Sequence, residues 1–92
     1  MTQSSLAGKK RVKFTMQADE DSTVYLAGSF NDWSPKKNKL RSKDGVYTTS
    51  VLLPKGKHEY KFIVNGAWCA DPECTEWVQN GMGSLNSVVT VG

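Results

Sequence analysis

Apolar and polar residues alternate in several short runs along this chain. Near the start, Val12, Phe14 and Met16 alternate with polar residues, which is the period-two pattern of a strand with one buried face. Further runs with strand character follow at 23–27, 46–53, 58–64 and 87–91. No run repeats its apolar positions at the 3.6-residue period of a helix for more than one turn. The chain is therefore predicted to be all-β.

Turn-forming residues separate these runs. Asp44-Gly45 and Asn65-Gly66 are residue pairs favoured in two-residue hairpin turns, and residues 67–69 begin the return strand after the second pair. Roughly six or seven short strands separated by turns predict an immunoglobulin-like antiparallel β-sandwich, with a small barrel as the alternative fold. The stretch 70–84 has no regular pattern and is predicted to be irregular.

The length of 92 residues fits a single domain, because a chain of this size buries a little over ~60% of its unfolded surface, which is enough for one compact core. The Ser-, Gly- and Lys-rich residues 1–10 are predicted to be a flexible tail, and residues 11–92 the domain. No apolar stretch approaches the ~18 residues of a membrane helix, and the first residues lack the apolar centre of a signal peptide. We therefore expect a cytoplasmic protein with no membrane partner.

Charge, cysteine and histidine content restrict the partners and cofactors. A net charge of +3 permits an acidic partner but is weak for a dedicated nucleic-acid binder. Cys69 and Cys74 could form a short-loop disulfide, although free thiols are favoured in a reducing cytosol. His58 is the only histidine, so a zinc site would lack ligands. No metal or other cofactor is expected.

Catalytic patterns are missing from the sequence. His58 lies at the start of a strand, and no nucleophile motif accompanies it. The carboxylates of 19–21 cluster in one exposed turn, where no pocket separates an acid from a base. Phosphate-binding glycine motifs are absent. We expect a protein that is not an enzyme.

Tryptophans in turn sequences are the best candidates for function. Trp33 lies between Asn31-Asp32 and Ser34-Pro35, and Trp68 follows the Asn65-Gly66 turn. Each ring could face a ligand or fold back to cover the end of the sandwich, whereas Trp77 is expected to pack in a loop.

Polar residues near these rings suggest a ligand class. Lys61 is out of phase with the apolar residues Tyr60 and Phe62, so it lies on the opposite face, and Asn86 precedes the last strand. Aromatic rings that stack on the C–H face of a pyranose, beside amines and amides that bond its hydroxyls, are suited to sugars.

Three segments carry a resemblance to a known family: VYLAGSFNDWS, LPKGKHEYKFIVNGAWCADP and NGMGSLNSVVTV. In this order and spacing, over about Val12 to Val91, they resemble carbohydrate-binding module family 48. The family includes the glycogen-binding domain of AMP-activated protein kinase β subunits and the N-terminal early-set domains of isoamylases and branching enzymes. The resemblance implies binding of α-1,4-linked glucans without catalysis.

The resemblance also implies site residues. The two tryptophans of the glucose platform match Trp33 and Trp68, and the sugar-bonding lysine matches Lys61. Kinase-type members add a leucine, a threonine and an asparagine from a late segment. The corresponding positions in this chain are Met82, Ser84 and Asn86. Methionine and serine thus replace leucine and threonine.

The expected partner is glycogen, starch or a maltooligosaccharide, with a catalytic or kinase partner also open. The alternative function is a structural or protein-interaction module of a starch or glycogen enzyme, or of a kinase complex, that binds no sugar. Binding of single-stranded nucleic acid is disfavoured, because the aromatics do not interleave with a basic stripe.

Overall fold

The computed structural model describes residues 8–81 and 84–92, in which all regular secondary structure is β-strand. In chain order the strands are β1 (Lys9–Gln17), β2 (Val24–Gly28), β3 (Asn38–Lys39), β4 (Arg41–Lys43), β5 (Val46–Pro54), β6 (Gly56–Val64), β7 (Ala67–Cys69), β8 (Trp77–Gln79) and β9 (Leu85–Val91). The strands form a sheet in the order β1-β5-β4 and a second sheet in the order β3-β2-β6-β9-β8, in which β7 also pairs with β6. Each paired strand is antiparallel to its neighbour. The predicted antiparallel sandwich is confirmed, and the barrel alternative is wrong because the strands divide between two sheets.

The core lies between the facing sides of the two sheets. Phe14 of β1 and Tyr60 of β6 belong to opposite sheets, and both are buried. Their rings pack edge to face, with ring centroids 4.9 Å apart. The other members of the apolar cluster come from both sheets and include Met16, Val24, Leu26, Leu40, Tyr47, Leu53, Phe62 and Val91. Burial of these side chains is the main stabilising contribution to the sandwich.

Alternation along β6 assigns its side chains to two faces. Tyr60 and Phe62 are buried in the core. Because successive side chains of a strand point to opposite faces, Lys61 and Ile63 lie on the outer face of the larger sheet, as predicted. This outer face is where the candidate site is found.

Two hairpin turns have the predicted geometry. Asp44 and Gly45 have φ of 54° and 81°, and Asn65 and Gly66 have φ of 50° and 86°. Positive φ at both central residues is the requirement of a type I′ turn, which Asn-Gly and Asp-Gly meet at little cost.

Some short elements differ from the sequence predictions. Residues 70–84 were predicted to be irregular, but Trp77–Gln79 pair with Leu85–Ser87 as the edge strand β8. Asn86 lies within β9 and not before it. The basic stretch 36–43, in which no strand was predicted, contributes β3 and β4. Strands of two or three residues contain too few positions to show an alternating pattern, so tertiary pairing defines them.

Residues 1–10 were predicted to be a flexible tail, but strand β1 already begins at Lys9. Residues 1–7 lie outside the described part of the chain. Within the described part, no helix is long and apolar enough to cross a membrane. Cys69 and Cys74 are not linked to each other.

Candidate functional site

A groove of about 520 Å³ opens on the outer face of the larger sheet. Its lining consists of Trp33, Lys61, Trp68, Asn80, Gly81, Ser84 and Asn86. Five of the six site residues predicted from the sequence therefore lie together. The sixth, Met82, lies outside the described residues.

The hairpin between β6 and β7 positions Trp68. Trp68 pairs directly with Ile63 of β6, so both side chains lie on the outer face. Ile63 is only 5% exposed although it faces away from the core, whereas Trp68 keeps 48% of its surface exposed. The tight Asn65-Gly66 turn thus fixes a large, solvent-facing ring at one side of the groove.

A hydrogen-bonded loop after β2 positions Trp33. The Asn31 side chain is 9% exposed; its Oδ1 accepts from the Gly28 N–H at 2.9 Å, and its Nδ2 donates to the Leu26 carbonyl at 2.9 Å. Nδ2 also donates to Asn38 Oδ1 of β3 at 2.7 Å. The Trp33 N–H donates to the Gly28 carbonyl at 2.9 Å. A buried amide therefore holds the turn that carries the second ring.

Close packing at the start of the loop requires glycine. A Cβ at Gly28 would lie 2.6 Å from the Glu59 carbonyl oxygen and 2.6 Å from the Phe30 ring. Phe30 packs against the core cluster, so neither neighbour can move freely.

Further along the same loop, Asp32 and Trp33 both have positive φ, at 59° and 55°. This conformation is unusual for a bulky side chain, and strained backbone of this kind concentrates at binding sites.

The polar floor of the groove is a connected set of hydrogen bonds. Lys61 Nζ donates to Ser84 Oγ at 2.9 Å, and Asn86 Nδ2 donates to Glu59 Oε1 at 2.9 Å. Asn80 joins the two, because its Nδ2 lies 2.7 Å from Ser84 Oγ and 3.2 Å from Asn86 Oδ1. Asn86 is only 6% exposed, so its amide is fixed by these partners.

Asn80 and Glu59 were not selected from the sequence. Asn80 also accepts from the Ser84 N–H at 3.2 Å through its Oδ1, and its own N–H donates to the Ser84 carbonyl at 2.8 Å. These contacts close the turn between β8 and β9. The signal in the sequence was Asn-Gly at 80–81, a turn-forming pair that begins the third segment of the resemblance to family 48, although the resemblance implied no role for Asn80.

Trp77 belongs to a different surface. It pairs with Ser87, whereas its neighbour Val78 pairs with Asn86 of the groove floor. Since side chains alternate along a strand, Trp77 faces away from the groove, and it is 46% exposed. The expectation of loop packing for Trp77 was wrong, because the residue lies in a strand.

The arrangement combines two rings with fixed amides and an ammonium group, which can stack on and hydrogen-bond a polyhydroxylated ligand. Within residues 8–81 and 84–92, no cluster of three His, Cys, Asp or Glu side chains could hold a metal ion. A sandwich whose open groove brings together two tryptophans and fixed polar groups has the arrangement of a ligand-binding module.

Comparison with known proteins places this module in a family. The family described as the glycogen recognition site of AMP-activated protein kinase matches residues 8–92, and the chain belongs to it. The 5′-AMP-activated protein kinase subunit beta-1 of Sus scrofa is 40% identical over 68 residues, which are 74% of this chain and 53% of that protein. The Homo sapiens subunit beta-1 is 40% identical over 68 residues, or 74% of this chain and 24% of that protein.

The chain therefore spans about half, or about a quarter, of the length of these relatives. Among solved structures, the maltogenic amylase from S. marinus superimposes with a TM-score of 0.74 over 92% of this chain and 14% of that one. At 22% identity, this likeness shows the shared fold alone.

Proposed function

We propose that the groove binds α-1,4-linked glucans, as glycogen, starch or maltooligosaccharides, without catalysis. The observation that carries this proposal is that Trp33 and Trp68 line one groove together with Lys61 and Asn86. Membership of a glycogen-recognition family supports the ligand class.

The two rings provide stacking surfaces for consecutive glucose units. If each ring removes ~100 Å² of apolar area from water, burial contributes roughly 2.5 kcal/mol per ring, against association costs of several kcal/mol. The affinity for one short chain is then micromolar to millimolar. A polymer with many overlapping sites binds more tightly through avidity.

Polar residues orient the sugar between the rings. Lys61 and Asn86 bond ligand hydroxyls, and each already has a partner that fixes its position, Ser84 and Glu59 respectively. Ser84 also lines the groove, and the resemblance to family 48 implies a further sugar contact from Met82, which lies outside the described residues.

The family relatives are kinase subunits, so we also propose that the module associates with a kinase or an enzyme of glucan metabolism. A cytoplasmic location remains a prediction from the sequence. The alternative is a module that organises such a complex without binding sugar. It gives the two tryptophan rings no role, and it predicts no saturable response when the protein is titrated with a glucan.

Titration with maltoheptaose, followed by tryptophan fluorescence and calorimetry, tests the proposal. Saturable binding is expected for the unaltered protein and for Trp77→Ala, and loss of measurable binding for Trp33→Ala and Trp68→Ala. Trp77→Ala is a matched control, because it removes an exposed ring that does not line the groove. No saturable response, or an equal response in all three variants, contradicts glucan binding.

A further inference from the structure

We propose that a second site, a cleft between β1 and β9, binds an extended acidic segment of a partner protein by strand addition. The cleft has a volume of about 570 Å³ and is lined by Lys10, Arg11, Val12, Lys13, Val89, Thr90, Val91 and Gly92. None of these residues lines the glucan groove, so this proposal does not depend on the proposed glucan function.

Both strands present an open backbone edge to the cleft. In the described part of the chain, β1 pairs with β5 alone. Strand β9 pairs with β6 along one edge. On the other edge β8 covers Leu85–Ser87, and the Val88 N–H donates to the Glu76 carbonyl at 2.9 Å, which leaves residues 89–91 without a neighbouring strand among the described residues. The remaining N–H and C=O groups of an open edge can pair with an added strand, a common mode of peptide recognition.

The positive charge of the cleft selects an acidic occupant. Lys10, Arg11 and Lys13 lie on β1, and the ion pair found within residues 8–81 and 84–92, Lys57–Glu76, involves none of them. Arg11 and Lys13 share one face of β1 and stand roughly 6.8 Å apart along it, which is also the spacing of alternate side chains in an extended peptide. Acidic side chains at every second position of the occupant therefore meet these cations.

Apolar side chains of the cleft indicate that the remaining positions of the bound peptide are apolar. Val12, Val89 and Val91 line the cleft beside the cations, and no aromatic residue of the described part of the chain does. A single-stranded nucleic acid would need rings for base stacking, whereas a peptide that alternates acidic and apolar residues matches both the cations and the valines. This combination favours a protein strand over a nucleic acid.

Lysine on an edge strand also has a purely protective role, because it discourages edge-to-edge aggregation. A short fluorescein-labelled peptide of alternating glutamate and valine separates the two roles by fluorescence anisotropy at about 150 mM salt, where distant charges are screened. Saturable binding is expected, and absence of binding overturns the proposal.

Paired charge reversals localise the site. We expect Arg11→Glu with Lys13→Glu to weaken peptide binding about tenfold or more. Arg41→Glu with Lys43→Glu is the matched control, since it changes the net charge equally on the same sheet but lies on β4, which does not line the cleft. This control should change affinity by less than about twofold, because β1 and β4 are separated by β5 and their charges are screened. Equal losses in both pairs indicate general charge attraction and overturn the proposal.

Two further probes test strand addition and independence. The same peptide with N-methylated valines cannot donate backbone hydrogen bonds along one of its edges, so it should bind far more weakly. Unchanged binding overturns strand addition.

Trp68→Ala should leave peptide binding unchanged, and the Arg11/Lys13 reversal should leave maltoheptaose binding unchanged. Tighter binding of a single-stranded oligonucleotide than of the peptide also overturns the proposal. Thermal unfolding of each variant confirms that it is folded.

Discussion

The ammonium group of Lys61 donates a hydrogen bond to the hydroxyl of Ser84, with 2.9 Å between Nζ and Oγ. Lys61 lies in the middle of β6, and Ser84 lies immediately before β9. The bond therefore joins the floor of the groove to the turn that borders it, and it aims the long lysine side chain into the groove.

Replacement of Lys61 by methionine is expected to weaken maltoheptaose binding about tenfold. The change keeps the apolar stem but removes a charged donor, which typically contributes about 1.5–3 kcal/mol to a hydrogen bond. Calorimetric titration measures the loss. Lys55→Met, at an exposed position that does not line the groove, is the control, and a similar loss in that variant would show that general charge and not the position of Lys61 governs affinity.

Asn80→Ala is expected to weaken glucan binding several-fold although the stacking rings remain. The variant removes the amide that contacts both Ser84 and Asn86, so two polar groups of the floor lose their fixed orientation. Gln79→Ala, the exposed neighbour in β8, is the matched control. Undiminished affinity in Asn80→Ala, with only a lower melting temperature, would restrict Asn80 to a role in stability.

Gly28→Ala is expected to destabilise the fold by about 1–3 kcal/mol, the usual cost of overpacking. The added methyl meets a backbone carbonyl and the Phe30 ring, and relief of this clash displaces the loop that carries Trp33, so glucan affinity should fall as well. Denaturant unfolding and titration measure the two effects. Gly8→Ala is the control, because no atom of the described part of the chain lies within 4 Å of its added methyl. Equal unfolding free energies for the two variants would refute this account.

Stability is expected to fall at alkaline pH because of Tyr60. Burial, and then its hydrogen bond to Asp71 at 2.7 Å, raise the pKa of Tyr60 well above the ordinary value of 10.0. Above about pH 10 the unfolded chain releases this proton while the folded protein keeps it, so the unfolding free energy decreases by up to about 1.4 kcal/mol per pH unit.

Denaturant unfolding between about pH 9 and pH 11 measures this slope. Tyr60→Phe is the comparison: it should be less stable at neutral pH, because Asp71 loses its donor, and its stability should depend less on pH across this interval. An identical slope in both proteins would mean that Tyr60 is not the titrating group.

The long strands could be read from the sequence because each is defined by its own pattern. Phe14 and Met16 alternate with polar residues whatever they pair with, and Asn65-Gly66 favours a type I′ turn without help from distant residues. The short strands could not be read in this way. Trp77 belongs to β8 only because Leu85–Ser87 supply its partners.

The residues of the candidate site also fall into two groups, those that the sequence indicated and those that only the structure showed. The resemblance to family 48 indicated six site residues. The structure places five of them around one groove, namely Trp33, Lys61, Trp68, Ser84 and Asn86, and the sixth, Met82, lies outside the described residues. Asn80 and Glu59 were missed because their importance comes from hydrogen bonds to residues of other elements. No local pattern records such contacts.

The sequence by itself determined the all-β class, the main hairpins and the face of β6 on which Lys61 lies, because period-two alternation and turn chemistry are local properties. Only the tertiary structure decided how Trp33 and Trp68, from separate turns, come to share a groove, and how a basic cleft opens between β1 and β9. Both depend on the packing and pairing of strands distant in the chain, which are set by burial of the common core.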